Sequence, residues 1–291
     1  MVNRQSSIAN PIFIIGVPRS GTTALHRLLC QHPQVAWLSG WCVRYPHRPE
    51  LNRALMQALD LPLVGSLLTR RFKPWEGYDF WESHCRGFRR PFRDLTAEDA
   101  SQRVCQRLPA VFNQLTTPNR HRLLLKITGW PRLGFLHRVF PQACFIHLVR
   151  DGRAVANSLL NPDFWLGWQG PHNWRWGLLD GDQAARWQKT GQSFVALAGL
   201  QWEILLRATE VAAGLLPAGT LLEVRYEALC ADPAGTLHQI AQFCQMPWPP
   251  PHPPNQPLHS QNNKWQQELT PTQQSHLQQT IAAYLQRYSY E

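Results

Sequence analysis

The feature that most constrains the fold is a short apolar run that leads directly into a glycine turn near the start of the chain. Residues 12–17 (IFIIGV) are continuously apolar and rich in β-branched side chains, which is typical of a buried parallel strand. Gly16 and Gly21 lie five residues apart, and a helical pattern with three leucines on one face follows. Backbone N–H groups in such a turn, with the helix N-terminus, can cradle an anion. The pattern predicts a strand, an anion-binding loop and a helix.

The rest of the chain continues this alternation of strands and helices. Apolar runs predict further strands at residues 35–38, 123–127, 143–149 and 221–224. Periodic segments predict helices at 49–59, 61–70, 96–116, 132–140, 153–160, 182–214, 233–245 and 270–287. This order predicts an α/β fold, a doubly wound parallel sheet flanked by helices.

Two segments interrupt the pattern. Residues 161–181 contain four tryptophans with Pro and Gly, and are either a mobile loop or a packed surface excursion. Residues 246–257 (MPWPPPHPPNQP) predict an extended connector. Because this connector separates only a short tail, we treat residues 1–291 as a single domain.

Composition narrows the class of protein. With 44% hydrophobic and 16% charged residues, the 291-residue chain has a globular composition that excludes wholesale disorder. A formal net charge of +10 favours anionic partners, but the basic residues are spread out and no nucleic-acid motif is present, so we expect no nucleic-acid partner. Seven scattered cysteines without a CxxC pair, and an N-terminal apolar run too short for a signal peptide, predict a cytoplasmic protein without a membrane anchor.

The glycine loop has the spacing of a nucleotide triphosphatase P-loop, GxxxxGK[ST], with one substitution. Thr22 stands where that motif has Lys, Thr23 adds a second hydroxyl, and Arg19 places a cation inside the loop. The two later strands lead to Lys126 and Arg150 rather than to acids that hold magnesium. We therefore expect an anion held by cations and amides without a metal. A P-loop kinase of a small metabolite is the alternative function.

Two motifs resemble sulfotransferases that use 3′-phosphoadenosine 5′-phosphosulfate (PAPS). Residues 18–23 (PRSGTT) resemble their 5′-phosphosulfate loop, in the form of tyrosylprotein and many bacterial sulfotransferases. Residues 145–160 (FIHLVRDGRAVANSLL) resemble their 3′-phosphate segment, a strand ending in Arg with a Ser eight residues later. The resemblance implies PAPS as co-substrate and nucleotide contacts from Arg19, Ser20, Gly21, Thr22, Thr23, Arg150 and Ser158.

Three weaker matches follow in the order of the family. The strand ending in Lys126 resembles the strand near the sulfonate, and residues 224–227 (VRYE) resemble a segment whose Tyr, here Tyr226, contacts adenine. Residues 262–265 (NNKW) resemble a late loop over the nucleotide, which implies contacts from Lys264 and Trp265. The match is poor at about 40–120 and 161–215, where acceptor pockets of the family vary.

The general base does not carry over from the family. Cytosolic sulfotransferases have a His two residues after the strand-end Lys, where this chain has Thr128, and residues 37–48 lack the Glu of tyrosylprotein sulfotransferases. Residues 73–84 (KPWEGYDFWESH) place three carboxylates and a His among aromatics, which desolvate a carboxylate and raise its pKa. Glu76 is the first candidate base and His84 the second.

The predicted function is transfer of a sulfonate group from PAPS to a hydroxyl or amine of a small molecule or glycan. The reaction would be a metal-independent, in-line displacement. Arg19 and Lys126 would stabilise the charge that develops on the sulfonate and on the leaving oxygen. The oligomeric state and the acceptor stay open.

Overall fold

A five-stranded parallel sheet organises the chain in a computed structural model that describes residues 10–90, 92–248 and 258–290. The strands are β1 (Ile12–Gly16), β2 (Val35–Trp37), β3 (Arg122–Thr128), β4 (Cys144–Val149) and β5 (Leu221–Arg225). Their order across the sheet is β2-β3-β1-β4-β5, and all neighbours are parallel. The central strand is β1, with β3 and β2 on one side and β4 and β5 on the other, which confirms the predicted α/β class.

Helices cover both faces of this sheet, as they must when parallel strands are buried on both sides. They are α1 (Thr22–Leu29), α2 (Gly40–Arg44), α3 (Pro49–Ala58), α4 (Val64–Arg71), α5 (Tyr78–His84), α6 (Gln102–Asn113), α7 (Leu133–Val139), α8 (Gly152–Leu159), α9 (Gly181–Lys189), α10 (Phe194–Ala213), α11 (Tyr226–Ala231), α12 (Pro233–Phe243), α13 (Lys264–Glu268) and α14 (Pro271–Arg287). Among the described residues, no helix is both long and apolar enough to cross a membrane.

The register of the sheet brings three strand ends together. All five residues of β1 are buried, and the Phe13 ring stacks on Phe145 of β4 with 5.5 Å between ring centroids. Gly16 pairs with Thr128 at the carboxyl end of β3. The loop after β1 therefore lies between the ends of β3 and β4, the position at which open α/β sheets bind ligands.

Two segments that the sequence predicts as single helices are each divided in the structure. The segment predicted as one helix at 96–116 begins with a 3-10 turn, Ala97–Asp99, because the capping box of Thr96 and Asp99 closes a single turn. The helix α6 follows as a separate element with Ser101 as its N-cap. The segment predicted as one helix at 182–214 is α9 and α10. They are separate because Gly191 and Gln192 have left-handed backbones, with φ of 62° and 61°.

The tryptophan-rich segment 161–181 is packed, which decides between the two alternatives. Trp165 and Trp174 are 2% and 0% exposed. Trp165 Nε1 donates a hydrogen bond to Gln201 Oε1 of α10 at 2.9 Å. The proline connector predicted at 246–257 lies mostly outside the described residues.

Candidate active site

The loop between β1 and α1 has the backbone of an anion cradle. Gly21, the N-cap of α1, and Arg19 both have left-handed backbones, with φ of 91° and 76°. No side chain caps the N-terminus of α1, and its first turn contains no acid. The free N–H groups of this turn are therefore open to an anion, which the helix dipole would also attract.

The first turn of α1 opens into a cavity of about 490 Å³, which we call the loop cavity. Four cationic side chains line it: Arg19, Arg27, Arg150 and Lys264. Glu268 is the one carboxylate among its described lining residues. The cavity therefore carries a strong excess of positive charge and suits a ligand with several anionic groups.

Arg150 follows the last residue of β4, and all three nitrogens of its guanidinium group donate hydrogen bonds. Its Nε donates to Asn262 Oδ1 at 2.8 Å, Nη1 to the Arg19 carbonyl at 2.9 Å, and Nη2 to the Gln261 carbonyl at 2.8 Å. Its guanidinium lies 4.5 Å from the centre of the Tyr226 ring. Burial lowers the pKa of Arg150, because a low-dielectric environment disfavours its charge. Arg150 thus connects the glycine loop to the late segment at Gln261 and Asn262.

Ser158 lies on α8 and lines the same loop cavity as Arg150. Its Oγ accepts a hydrogen bond from Arg19 Nε at 2.8 Å. The structure therefore brings Arg19, Arg150 and Ser158 to the lining of one cavity, with Ser158 bonded to Arg19 rather than to Arg150.

A second cluster lies on β3, beside the loop. Strand alternation places Lys126 and Thr128 on one face of the sheet. Lys126 Nζ donates to Thr23 Oγ1 at 2.8 Å and lies 2.8 Å from Glu76 Oε1. Thr128 Oγ1 donates to the same Glu76 oxygen at 3.2 Å. The first candidate base is therefore in contact with the strand lysine, which itself contacts the glycine loop.

The chain around Glu76 is fixed to the end of β2. Pro74 forms a bridge with Ser39, and Trp75 N donates to the Leu38 carbonyl at 2.8 Å. Trp75 is 57% exposed, so it does not bury Glu76 in the way that the sequence suggests. The immediate neighbour of Glu76 is the cation of Lys126.

Glu76 and Thr128 line a second cavity of about 350 Å³, which we call the Glu76 cavity. Tyr78 also lines it; its hydroxyl donates to the Thr128 carbonyl at 2.7 Å and accepts from Thr128 N at 3.0 Å. Burial and the nearby Glu76 charge raise the pKa of Tyr78, so its hydroxyl stays protonated at neutral pH. Arg19, Thr22 and Thr23 line both cavities, so the glycine loop separates two adjoining binding spaces.

The structure does not bring His84 to this cluster. The ring Nε2 of His84 lies 2.8 Å from the Pro46 carbonyl, and the ring packs edge-on against Phe80. Burial lowers the pKa of His84. His84 lines neither cavity, because its place near the end of α5 turns it into the core, so the geometry does not support it as a base.

Three residues that the sequence predicts as nucleotide contacts do not line the loop cavity: Ser20, Tyr226 and Trp265. Trp265 is buried, and the Arg153 guanidinium lies 4.9 Å from the centre of its ring. Ser20 is buried within the loop. Tyr226 lies beneath Arg150, with its ring against Gly21. The Trp265 ring thus packs against the guanidinium of Arg153, and the Tyr226 ring packs against the guanidinium of Arg150.

Sequence reasoning missed Arg27 and the arginines of the Glu76 cavity. Arg27 lies four residues after Thr23, on the same face of α1, so helical spacing was a usable signal. Arg89, Arg132 and Arg175 come from three distant segments, and no local pattern connects them.

Solved structures of sulfotransferases have a similar fold. Similar solved structures include a sulfotransferase domain from the curacin biosynthetic pathway, with 16% identity, a TM-score of 0.51, and coverage of 98% of this chain and 99% of that chain. They also include sulfotransferase STF9 from Mycobacterium avium, with 20% identity, a TM-score of 0.59, and coverage of 98% and 78%. At these identities the similarity establishes the fold.

A sequence relative and a family model extend the comparison. An uncharacterized protein of Aquifex aeolicus (strain VF5) is 24% identical over 249 residues, which are 82% of this chain. The chain spans only about a quarter (26%) of the length of that relative. A model of the sulfotransferase family matches residues 11–250, which is most of the chain. The chain therefore belongs to the sulfotransferase family.

Proposed function

We propose that this protein is a PAPS-dependent sulfotransferase that transfers a sulfonate group to a hydroxyl or amine of a small molecule or glycan. The observation that carries the proposal is the pair of cavities that share the glycine loop. PAPS in the loop cavity and an acceptor in the Glu76 cavity would meet at Thr23, beside Lys126.

The loop cavity offers matching contacts for both ends of the nucleotide. The N-terminus of α1 and the loop amides would hold the 5′-phosphosulfate. Arg150 and Ser158 would hold the 3′-phosphate. The present acceptors of Arg150 are neutral carbonyl and amide oxygens, and a charged phosphate oxygen is a stronger acceptor for a guanidinium. PAPS binding would thus exchange contacts to Gln261 and Asn262 for contacts to phosphate.

Sulfonate transfer needs a base and stabilisation of negative charge. The acceptor oxygen or nitrogen would form a bond to sulfur as the bond between sulfur and the bridging phosphate oxygen breaks, and the acceptor proton would pass to Glu76. Both described contacts of Glu76 use Oε1, which leaves Oε2 for the acceptor. Lys126 and Arg19 would stabilise charge on the sulfonate and the leaving oxygen, a contribution of several kcal/mol in such sites, roughly as for an oxyanion hole.

The experiment is an assay of PAPS consumption in EDTA. The protein is incubated with PAPS, with and without a mixture of phenols, alcohols and amines, and release of adenosine 3′,5′-bisphosphate (PAP) is measured. We expect acceptor-dependent PAP release. A parallel reaction contains ATP and Mg²⁺ in place of PAPS and EDTA, and phosphorylation of an acceptor there, without PAP release from PAPS, would instead establish the kinase alternative.

A further inference from the structure

The wall of the Glu76 cavity is unusually rich in arginine. Beyond the glycine loop, four arginines line it: Arg89, Arg90, Arg132 and Arg175. Glu76 is the one carboxylate among its described lining residues. Aromatic rings complete the wall: Tyr78, Trp130, Phe164 and Trp176. This cavity therefore combines apolar surface with an excess of positive charge, separate from the cations of the loop cavity.

Arg132 is fixed in this wall. It is 5% exposed and has a left-handed backbone with φ of 52° at the start of α7. Its N–H donates to Asp94 Oδ1 at 2.8 Å, which holds the strained backbone. Its side chain donates to the carbonyls of Phe88 at 3.1 Å and Trp130 at 2.6 Å, and lies 4.8 Å from the centre of the Phe88 ring. A non-glycine residue persists in such a conformation only where the surrounding structure holds it, so these contacts fix the position of Arg132 in the wall.

The charges of Arg132 and Arg175 are not neutralised by ion pairs. In the described part of the chain, the Arg132 side chain bonds only to carbonyls, and the Arg175 side chain contacts the carbonyl of Arg89 at 3.5 Å. The other two cavity arginines differ, because Arg89 and Arg90 are each in an ion pair with an aspartate outside the cavity, at 2.6 and 3.5 Å. Arg132 and Arg175 are thus the two cavity arginines without an ion pair among the described residues, and Arg175 is the more weakly compensated, because the Asp94 carboxylate lies near enough to Arg132 for the two charges to interact.

Such a wall selects a charged ligand. A neutral ligand would cover the guanidiniums without compensating their charge, whereas a carboxylate or phosphate forms charge-assisted hydrogen bonds with them. The rings beside them provide contact area for an apolar body. The volume of about 350 Å³ is near the lower end for ligand sites, which points to a small molecule.

We infer, on the basis of the proposed function, that the acceptor is itself an anion. It presents a hydroxyl or amine to Glu76 and a carboxylate, phosphate or sulfate group to Arg132 and Arg175, with an apolar or aromatic body between them. The arginines determine specificity through this second group, while Glu76 takes the acceptor proton and Lys126 stabilises the transferred sulfonate.

The test compares phenols that differ in charge. Wild-type protein saturated with PAP is titrated calorimetrically with four phenols: the anions 3-(4-hydroxyphenyl)propanoate and 4-hydroxyphenyl phosphate, the neutral methyl ester of the first, and the cation tyramine. Sulfonate transfer from PAPS to the same compounds is then measured. We expect at least one anionic phenol to bind about tenfold or more tightly than the ester, and tyramine to bind most weakly, because a hydrogen bond between charged groups has about this effect. The anion that binds more tightly shows whether the cavity prefers a carboxylate or a phosphate.

Variants at Arg175 test whether the preference for anions arises in the Glu76 cavity. Arg175→Ala, at an exposed position, should weaken anion binding about tenfold more than it weakens ester binding, and Arg175→Lys should restore part of the preference. Arg103→Ala, an exposed arginine that lines neither cavity, is the charge-matched control. Equal binding of anion and ester by wild type, or equal losses for both in Arg175→Ala, would overturn the inference. Failure of PAP to bind at the start would count against the proposed function instead.

Discussion

At the scale of single residues, the contacts of Glu76 support its proposed role as the base that activates the acceptor. Its Oε1 accepts from Thr128 and pairs with Lys126, so one carboxylate lies next to the glycine loop and to the cavity beyond it. Sequence reasoning selected Glu76 for a neighbouring tryptophan, and the structure supports it for a different reason. The contact with Lys126 joins residues 50 positions apart, so local sequence could not reveal it.

Glu76→Gln should lower kcat by about 10²–10⁴, the usual contribution of a positioned general acid or base. PAP affinity should be nearly unchanged, because Glu76 does not line the loop cavity. Steady-state kinetics with PAPS and calorimetry with PAP measure the two effects. Glu50→Gln, which alters an exposed carboxylate paired with Arg48, is the control. A near-normal kcat in Glu76→Gln would remove Glu76 as the base.

Arg150→Ala and Ser158→Ala should weaken binding of PAP more than binding of AMP, which lacks the 3′-phosphate. Loss of a hydrogen bond to a charged group costs about 1.5–3 kcal/mol, and Arg150 should matter more than Ser158. The ratio of PAP to AMP affinity is the measured quantity, because Arg150 also binds the Arg19 carbonyl and its loss could loosen the loop for both ligands. Equal losses for PAP and AMP would contradict the 3′-phosphate assignment.

At the scale of elements, the strand–loop–helix unit of β1 and α1 positions the nucleotide site. The positions of the buried strands were predictable, because a parallel strand covered on both faces requires a continuous apolar run. Helix ends were less predictable. The separation of α9 from α10 depends on left-handed backbones at Gly191 and Gln192, and Gln carries little signal for that conformation. The arginines of the Glu76 cavity were not predictable, since they meet only through the tertiary fold.

Gly21→Ala should lower PAP affinity at least tenfold. The backbone of Gly21 is left-handed, and an added Cβ would lie 2.4 Å from the Tyr226 ring, so the loop or Tyr226 must move. Calorimetry measures the affinity, and circular dichroism checks that the variant is folded. Gly40→Ala is the matched control, because a Cβ there meets nothing within 4 Å. Unchanged PAP affinity in Gly21→Ala would show that the loop does not cradle the nucleotide.

At the scale of the whole molecule, two cavities of different character adjoin at one loop. The loop cavity has the cations for a nucleotide, and the Glu76 cavity has aromatic rings and a second group of arginines. The sequence motifs lie almost entirely around the first cavity. Half of the residues that line the second cavity come from the segments with poor family resemblance. The motifs therefore predicted the fold and include most of the residues that line the first cavity, but they carried no information on the acceptor.

Sulfonate transfer should persist in excess EDTA. Arg19 and Lys126 provide the positive charge beside the transferred group, and Thr22 occupies the position of the P-loop lysine that acts with magnesium in kinases. The rate of PAP release with and without chelator measures this directly. Loss of activity that added Mg²⁺ restores would contradict the expected mechanism.

The most direct test of the central claim is the stability of the protein with different nucleotides. Thermal unfolding is followed with PAP, with AMP, and with ATP plus Mg²⁺, each at the same concentration. A ligand that binds only the folded protein adds about 2.7 kcal/mol to the free energy of unfolding at 100 times its Kd. We predict that PAP gives the largest increase, because Arg150 and Ser158 provide a site for its 3′-phosphate. Strong stabilisation by ATP with Mg²⁺, and none by PAP, would contradict the account.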